Sequence, residues 1–575
     1  MTTDCRTNSQ SLNFAGHSTN EQMDPHLSWL EYTASTHPYL RLLILAGLLY
    51  LPWLNAEPLR SEIEGNRMLV AREMLQNGDW VVPTLNGGPY LYKPPLTSWV
   101  ICLFSYPCGD VTVWTGRLPS VLSVLALVCL VAWWGRRELD ARTGFLAAVI
   151  AASSGLVFEK GTRAEVEALL MLTTTGSLIG FWYAIREKGR RKVGAVLLGG
   201  VSLGAAILVK GPVAPVMFAV TAAVMLVVGG QSRVSIFLVT LCMAGIATLV
   251  VLPWVVLLSC RVGFGELLKI VEGQVVRRVQ SATKTNVEPF WFYPPALLGG
   301  LLPWSFLIPG LWAIRNPNHL PNTDKRAQWF LLMAWSVGTL ILFSFSSGKE
   351  NRYLISTYPA WALLLAWGWL AHQDPEWLKK YRALLGNLVG WGTWFLPFLA
   401  AVAVFFIRPQ AWFWGVGAGA ILLIARLAAA WGQRIRKKEL LFAALLLGVF
   451  GAKMYWAEVY QSRQADLYPI AAFGQEIADH LRPDERLIAV NWYHSYIQFF
   501  VKHPFDLFEN PKTFRNEIAT GRLRDRYVLV LADDLPQGAE GSLTVVFEKK
   551  IGRSVYRLLY IPKEVSELPS IRKSR

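Results

Sequence analysis

The chain has 575 residues, of which 53% are hydrophobic and 17% charged, with 25 Trp and a formal net charge of +16. The charged share lies well below the ~25% of ordinary soluble domains. That argues against a disordered chain, a disulfide-stapled secreted module and a cytosolic enzyme. The positive excess sits in short clusters between apolar stretches, the pattern that sets membrane topology. No long Lys/Arg run with interleaved aromatics indicates a nucleic-acid partner.

In chain order, residues 1–38 are polar, lack the apolar core of a signal peptide, and read as a flexible cytosolic tail. About thirteen stretches then approach the ~20 apolar residues of a spanning helix. They are 39–56, 118–134, 144–158, 168–185, 193–209, 213–229, 234–258, 290–312, 329–345, 353–370, 384–407, 412–430 and 440–456. Residues 94–107 are apolar too, but at ~1.5 Å per residue they cover only ~20 Å and read as an interfacial helix.

If that helix does not cross, four basic groups fall on the N-terminal side: Arg136/Arg137/Arg142, residues 186–192, Lys379/Lys380/Arg382 and residues 434–438. The positive-inside rule makes that side cytosolic. A crossing would leave the four groups in agreement with one another, so the short length and the tail's lack of an export signal favour the first arrangement. The expected fold class is an α-helical polytopic membrane protein with a small C-terminal α/β domain. The expected domains are the tail 1–38, a transmembrane domain 39–456 with outward loops 57–117 and 259–289, and an outward domain 457–575. The last carries an amphipathic helix at 468–481 and strands at 487–490, 527–532, 543–548 and 555–561. Cys129 and Cys242 read as core residues, whereas Cys102 and Cys108 are close enough to pair in an oxidising compartment.

Ionisable residues beside spans are costly and mark function. Four outward places hold them: Glu62–Pro95 in the first loop, Glu159–Glu167, Lys210-Gly211-Pro212, and Ser347–Tyr353, with Arg277-Arg278 of the other long loop as an addition. Each has a bland reading. Glu64 suits the amides at the start of a surface helix, Glu159–Glu167 suits an interfacial ion-pair cluster, and Lys210 suits a snorkelling cation. Together they face one compartment, where cations from separate loops can converge on a phosphate and a carboxylate can deprotonate a hydroxyl. His319 and His372 lie in cytosolic turns and His480, His494 and His503 in the C-terminal domain, so no zinc trio forms.

At these residues the chain resembles a family. The run EGNRMLVAREMLQNGDWVVPTLNGGPYLYKPP (64–95) looks like the first external loop of bacterial lipid-carrier-dependent glycosyltransferases of the protein O-mannosyltransferase-like group, which includes the aminoarabinose transferases. The resemblance continues through GRLPSVLSVLAL, GTRAEVEALL, VKGPVAP, PFWFYPPALLGGLLPW and SFSSGKENRYLISTYPAWALLLA, roughly over residues 40–370. It implies the C-type glycosyltransferase fold in the bacterial inner membrane. It also implies transfer of a sugar from a polyprenyl-phosphate donor to an envelope lipid, glycan or protein acceptor.

The family opens this loop with an Asp-Glu pair. Here Glu64 matches the Glu, and Ile63 stands where the Asp is usual. No cofactor is implied with certainty, and a divalent cation stays open. By the resemblance Glu64 is the catalytic base or orienting acid, and Arg67 and Glu165 position it. Lys93, Arg163, Lys210, Arg278, Lys349 and Arg352 bind substrate or phosphate, with Tyr92, Asn86 and Tyr353 beside them. The rival expectation is a transporter or flippase for lipid-linked sugars, and a third is an envelope scaffold.

Overall fold

The computed structural model describes residues 28–563 apart from 273–287, 386–401, 403–405, 407–411, 535–542 and short gaps at 53, 56, 60, 229, 267, 270–271, 318–319, 321–322, 347, 372–374, 436–437, 492–493 and 509. Arg278, His319, His372 and nearly all of the expected span 384–407 lie outside the described residues.

Among the described residues six helices are long and apolar enough to cross a membrane: Val113–Glu138, Glu167–Arg186, Gly189–Lys210, Arg233–Val262, Thr323–Ser344 and Trp412–Gly432. Two more expected spans are bent. The stretch 144–158 divides into Ala141–Ser153 and Gly155–Gly161 with a 61° bend. The stretch 290–312 divides into Phe290–Gly300 and Trp304–Ile314 with a 110° bend. The apolar helix Leu96–Cys108 is too short to cross alone, as are Pro38–Tyr50 and Val213–Val228. Large apolar side chains such as Leu198, Val227, Leu249 and Phe345 point outward, as expected where the surrounding medium is lipid.

Glycines let two of these helices approach. A Cβ on Gly144 would stand 2.4 Å from the Arg136 nitrogen and 2.7 Å from the Ala132 oxygen, so the Ala141–Ser153 helix crosses Val113–Glu138 backbone to backbone. Cys102 and Cys108 do not pair, contrary to the conditional expectation: both thiols are free, and the Cys102 Sγ donates 3.1 Å to the Ala71 oxygen.

The first external loop is built on the helix Glu62–Asn77. Ser61 caps its start by accepting from the Glu64 nitrogen, and Gly78, at φ +69°, ends it. A hairpin follows, with β1 (Thr84–Leu85) paired to β2 (Gly88–Pro89). Its Asn86-Gly87 turn has φ values of +59° and +79°, the conformation that favours this dipeptide between twisted strands. The Glu73 carboxylate pins the turn by accepting from the Asn86 nitrogen (2.6 Å), the Gly87 nitrogen (3.2 Å) and the Thr84 hydroxyl (2.7 Å).

The C-terminal residues form a five-stranded sheet from β3 (Leu487–Val490), β4 (Phe505–Phe508), β5 (Arg526–Leu531), β6 (Thr544–Ile551) and β7 (Ser554–Ile561). The order is β4-β3-β5-β7-β6, parallel across β4-β3-β5 and antiparallel across β5-β7-β6. Four of these lie where strands are expected from the sequence. The short edge strand β4 was not anticipated. The amphipathic helix is Ile470–Ala478. All four residues of β3 are buried, since helices cover both faces of the sheet.

This domain sits on the first loop. The Glu62 carboxylate accepts from the Ser495 nitrogen and hydroxyl, both at 2.9 Å, and contacts His494 Nδ1. Arg72 donates to the Phe499 oxygen at 2.7 Å and lies over its ring at 4.1 Å. Gly65 has no room for a side chain: a Cβ would meet the Ser495 hydroxyl at 2.5 Å and the Tyr496 nitrogen at 2.7 Å. Gly65→Val is therefore expected to loosen the C-terminal domain. Limited proteolysis should release a C-terminal fragment faster than from the wild type, with a lower unfolding temperature in detergent.

Candidate active site

The first-loop helix and the start of the helix Val113–Glu138 are joined by a buried ion pair. Arg117 is fully buried and Glu64 is 1% exposed. Arg117 Nε and Nη2 donate to the two Glu64 oxygens at 2.7 and 3.2 Å, and the Ala164 nitrogen donates to Oε1 at 2.9 Å. Arg117 Nη1 reaches the carbonyls of Leu54 (2.7 Å) and Glu57 (2.8 Å). Both Glu64 oxygens are thus held, one by the guanidinium alone and one by the guanidinium and a backbone amide, an arrangement that anchors the first-loop helix.

Beside this pair lies a cavity of about 490 Å³, and four separate segments bring cations to it. Arg67 comes from the first-loop helix, Lys93 from the loop after the hairpin, Lys210 from the end of its helix, and Lys349 and Arg352 from the loop before the helix Tyr358–Leu370. Glu167, Glu288 and Glu350 line the same space, and so does Ile63. Lys210 pairs with Glu167 at 2.9 Å and lies over the Tyr353 ring at 5.1 Å. Glu350 contacts Arg352 and accepts from the Tyr353 hydroxyl at 3.3 Å. Lys349 donates to the Glu288 carbonyl at 2.8 Å. Arg67 is nearly buried, and burial pulls its guanidinium below the usual range against the opposing pull of Tyr90 and Glu167. The second Glu167 oxygen is buried and has no hydrogen-bond partner among the described residues.

The expected site residues thus divide. Arg67, Lys93, Lys210, Lys349, Arg352 and Tyr353 share the cavity. Asn86 does not, because its side-chain oxygen accepts from the Phe505 nitrogen at 3.0 Å and from Gln498, which makes it a docking point for the C-terminal domain. Tyr92 is exposed against Tyr90, with ring centroids 5.2 Å apart. Arg163 bridges Glu57 at 2.7 Å and Glu159 at 2.8 Å outside the cavity. Glu165 is buried beside Lys160 at 3.2 Å. Sequence reasoning placed Glu167 in the Glu159–Glu167 cluster without giving it a role, and did not single out Arg117. Among the described residues no three His, Cys, Asp or Glu side chains converge as a metal-ion set. The Glu167 and Glu350 carboxylates each face a cation, so the donor set suits an anion better than a metal ion.

A family model described as "Dolichyl-phosphate-mannose-protein mannosyltransferase" matches residues 92–257. A relative from Yersinia enterocolitica, named undecaprenyl phosphate-alpha-4-amino-4-deoxy-L-arabinose arabinosyl transferase, is 31% identical over 56% of this chain and 58% of its own length. A relative of the same name from Edwardsiella ictaluri is 29% identical over 73% of each chain. The chain therefore spans little more than half the length of the Yersinia relative. The crystal structure of ArnT from Cupriavidus metallidurans bound to undecaprenyl phosphate superposes with a TM-score of 0.70, at 18% identity over 92% of this chain and 98% of that one. The architecture is the helical membrane fold of the C-type glycosyltransferases. The chain is thus similar in sequence to aminoarabinose transferases that use an undecaprenyl-phosphate carrier, and in part to the protein mannosyltransferases.

Two outcomes follow from the geometry. Removing one partner of a buried ion pair leaves an uncompensated charge and costs ~3–5 kcal/mol. Arg117→Ala should therefore unfold at a clearly lower temperature than the wild type in the same detergent. Glu165 titrates at about 7 instead of 4.5, because burial and the neighbouring Glu167 oppose its ionisation. The folded state holds that proton more tightly than the unfolded chain. The resulting stabilisation is present below pH 4.5 and is lost as pH rises through about 7. Relative to Glu165→Gln, the wild type should lose stability over this window, by at most about 3 kcal/mol, as read from unfolding temperatures at pH 5 and pH 8.

Proposed function

We propose that the chain transfers a sugar from a polyprenyl-phosphate carrier to an envelope acceptor (lipid A, another glycan or a protein) on the outer face of the bacterial cytoplasmic membrane. The observation that carries this reading is the meeting of Arg67, Lys93, Lys210, Lys349 and Arg352 in one cavity at the ends of spanning helices. Such a set matches a phosphate entering sideways from lipid, with its charge growing as the sugar leaves.

In this reading Glu167 accepts the proton of the acceptor hydroxyl on its unpartnered oxygen, while Lys210 holds the other. The hydroxyl oxygen attacks the anomeric carbon, the bond from that carbon to the phosphate oxygen breaks, and polyprenyl phosphate leaves with the electron pair. In-line attack inverts the anomeric centre. Glu64 acts through Arg117 as a positioning residue, with Glu165 beside it. The chain crosses the membrane about thirteen times, with the bent pairs and the short helices other than Leu96–Cys108 counted as crossings. Its N-terminus is cytosolic and its C-terminal domain, residues 457–575, lies outside over the cavity. A flippase has less support, because transporter charges gather near the bilayer midplane, whereas Glu167 and Lys210 stand at helix ends.

The test uses purified protein in nanodiscs with a panel of polyprenyl-phosphate sugars and reads release of free polyprenyl phosphate. Glu167→Gln should lower kcat by ~10²–10⁴, the usual contribution of a positioned base. Lys349→Gln combined with Arg352→Gln should raise the KM for the donor. Transbilayer movement of the donor without release of polyprenyl phosphate would overturn the reading.

A further inference from the structure

The opposite end of the helix hairpin that carries Glu167 and Lys210 holds a second recess. It measures about 850 Å³ and opens between the helices Val113–Glu138, Glu167–Arg186 and Gly189–Lys210. Small residues, among them Gly176, Gly180 and Gly194, leave its floor shallow, and Leu130, Leu172 and Leu198 line its apolar length. Its other end is polar. Arg137 stands there with its side chain half exposed, its guanidinium 5.1 Å from the Tyr183 ring centroid and 3.6 Å from Glu187. Arg191 lines the same end, is exposed and makes no ion pair among the described residues. Lys188 and Arg190 are exposed in the adjoining turn, and the acids at this end are Glu187 and Glu138, whose Oε1 lies 3.9 Å from Arg137 Nε.

Arg191 and Lys210 are separated along one helix by ~28 Å at ~1.5 Å per residue, close to the ~30 Å of a hydrocarbon core. The recess therefore opens at the membrane face opposite the sugar-transfer cavity and shares no lining residue with it.

We infer that this recess binds one anionic glycerophospholipid of the bilayer leaflet. One acyl chain lies over the glycine floor and the phosphate lies between Arg137 and Arg191. Basic pockets between spanning helices recognise anionic headgroups in this way, and the apolar length fits a hydrocarbon chain but not a free phosphate. The wall can be altered without a clash, since a Cβ on Gly194 would meet nothing within 4 Å. Gly194→Leu fills the groove and also favours the helix.

The test is native mass spectrometry of the full chain with equimolar phosphatidylglycerol and phosphatidylcholine of matched acyl chains. The wild type should retain one phosphatidylglycerol with roughly tenfold preference, falling with ionic strength. Arg137→Gln with Arg191→Gln should remove the preference. Gly194→Leu should lower retention of phosphatidylglycerol while the unfolding temperature without added lipid stays at or above that of the wild type. Equal retention of the two lipids by the wild type would overturn the inference, as would a preference unchanged in both variants.

Discussion

The Glu64–Arg117 ion pair anchors the cavity wall that carries Arg67 and Glu167. Taking both charges out of water is costly, and the cost is offset only when each remaining donor and acceptor finds a partner. Here Arg117 Nη1 satisfies two carbonyls at the end of the Leu54–Glu57 turn, and Glu64 takes the Ala164 amide as well as the guanidinium. The pair therefore ties together four segments: the turn after the first apolar helix, the first-loop helix, the start of the helix Val113–Glu138, and the turn leading to Glu167. Displacing any of them would leave a charge unpaired in a low-dielectric interior. The consequence for function is geometric: Arg67, one turn after Glu64, and Glu167, three residues after Ala164, are brought to one cavity wall by the same anchor.

Much of this architecture is readable from the chain. Period-3.6 helices and apolar runs are local properties, and so are the cap at Ser61 and the Asn86-Gly87 turn. Strands β3, β5, β6 and β7 carry their alternation and β-branched content openly, whereas β4 has four residues, one of them Asp506, and is defined by its partner more than by itself. The bends at Ser154 and near Leu301 were not legible, because uninterrupted hydropathy is blind to where a helix turns within the apolar layer.

For the site, the gathering of cations from separate loops was legible, but pairings were not. Glu64 reads as a helix-start or active-site carboxylate because its partner Arg117 lies 53 positions away, at the far end of the same outward loop. Asn86 looked like a polar loop residue facing substrate because its acceptor bonds come from the other domain. Glu167 is the exception that a closer argument could have reached. The helices Glu167–Arg186 and Gly189–Lys210 are joined by a turn too short for anything but an antiparallel hairpin. Glu167 and Lys210 stand almost equally far from that turn, so the hairpin sets the acid and the cation opposite one another.

Ile63 lines the cavity at the position where the resemblance places an Asp, so this chain has an apolar wall there. Removing a negative charge next to Arg67, Lys93 and Lys210 leaves the cavity with more cations than acids, which deepens its attraction for a phosphate. It also leaves fewer groups able to take a proton. Among the described cavity carboxylates, Glu350 is held by Arg352 and Tyr353, and Glu167 alone has a buried oxygen without a partner. With an apolar residue at this place, the proposed proton acceptor sits in the second external turn, where Glu167 pairs with Lys210.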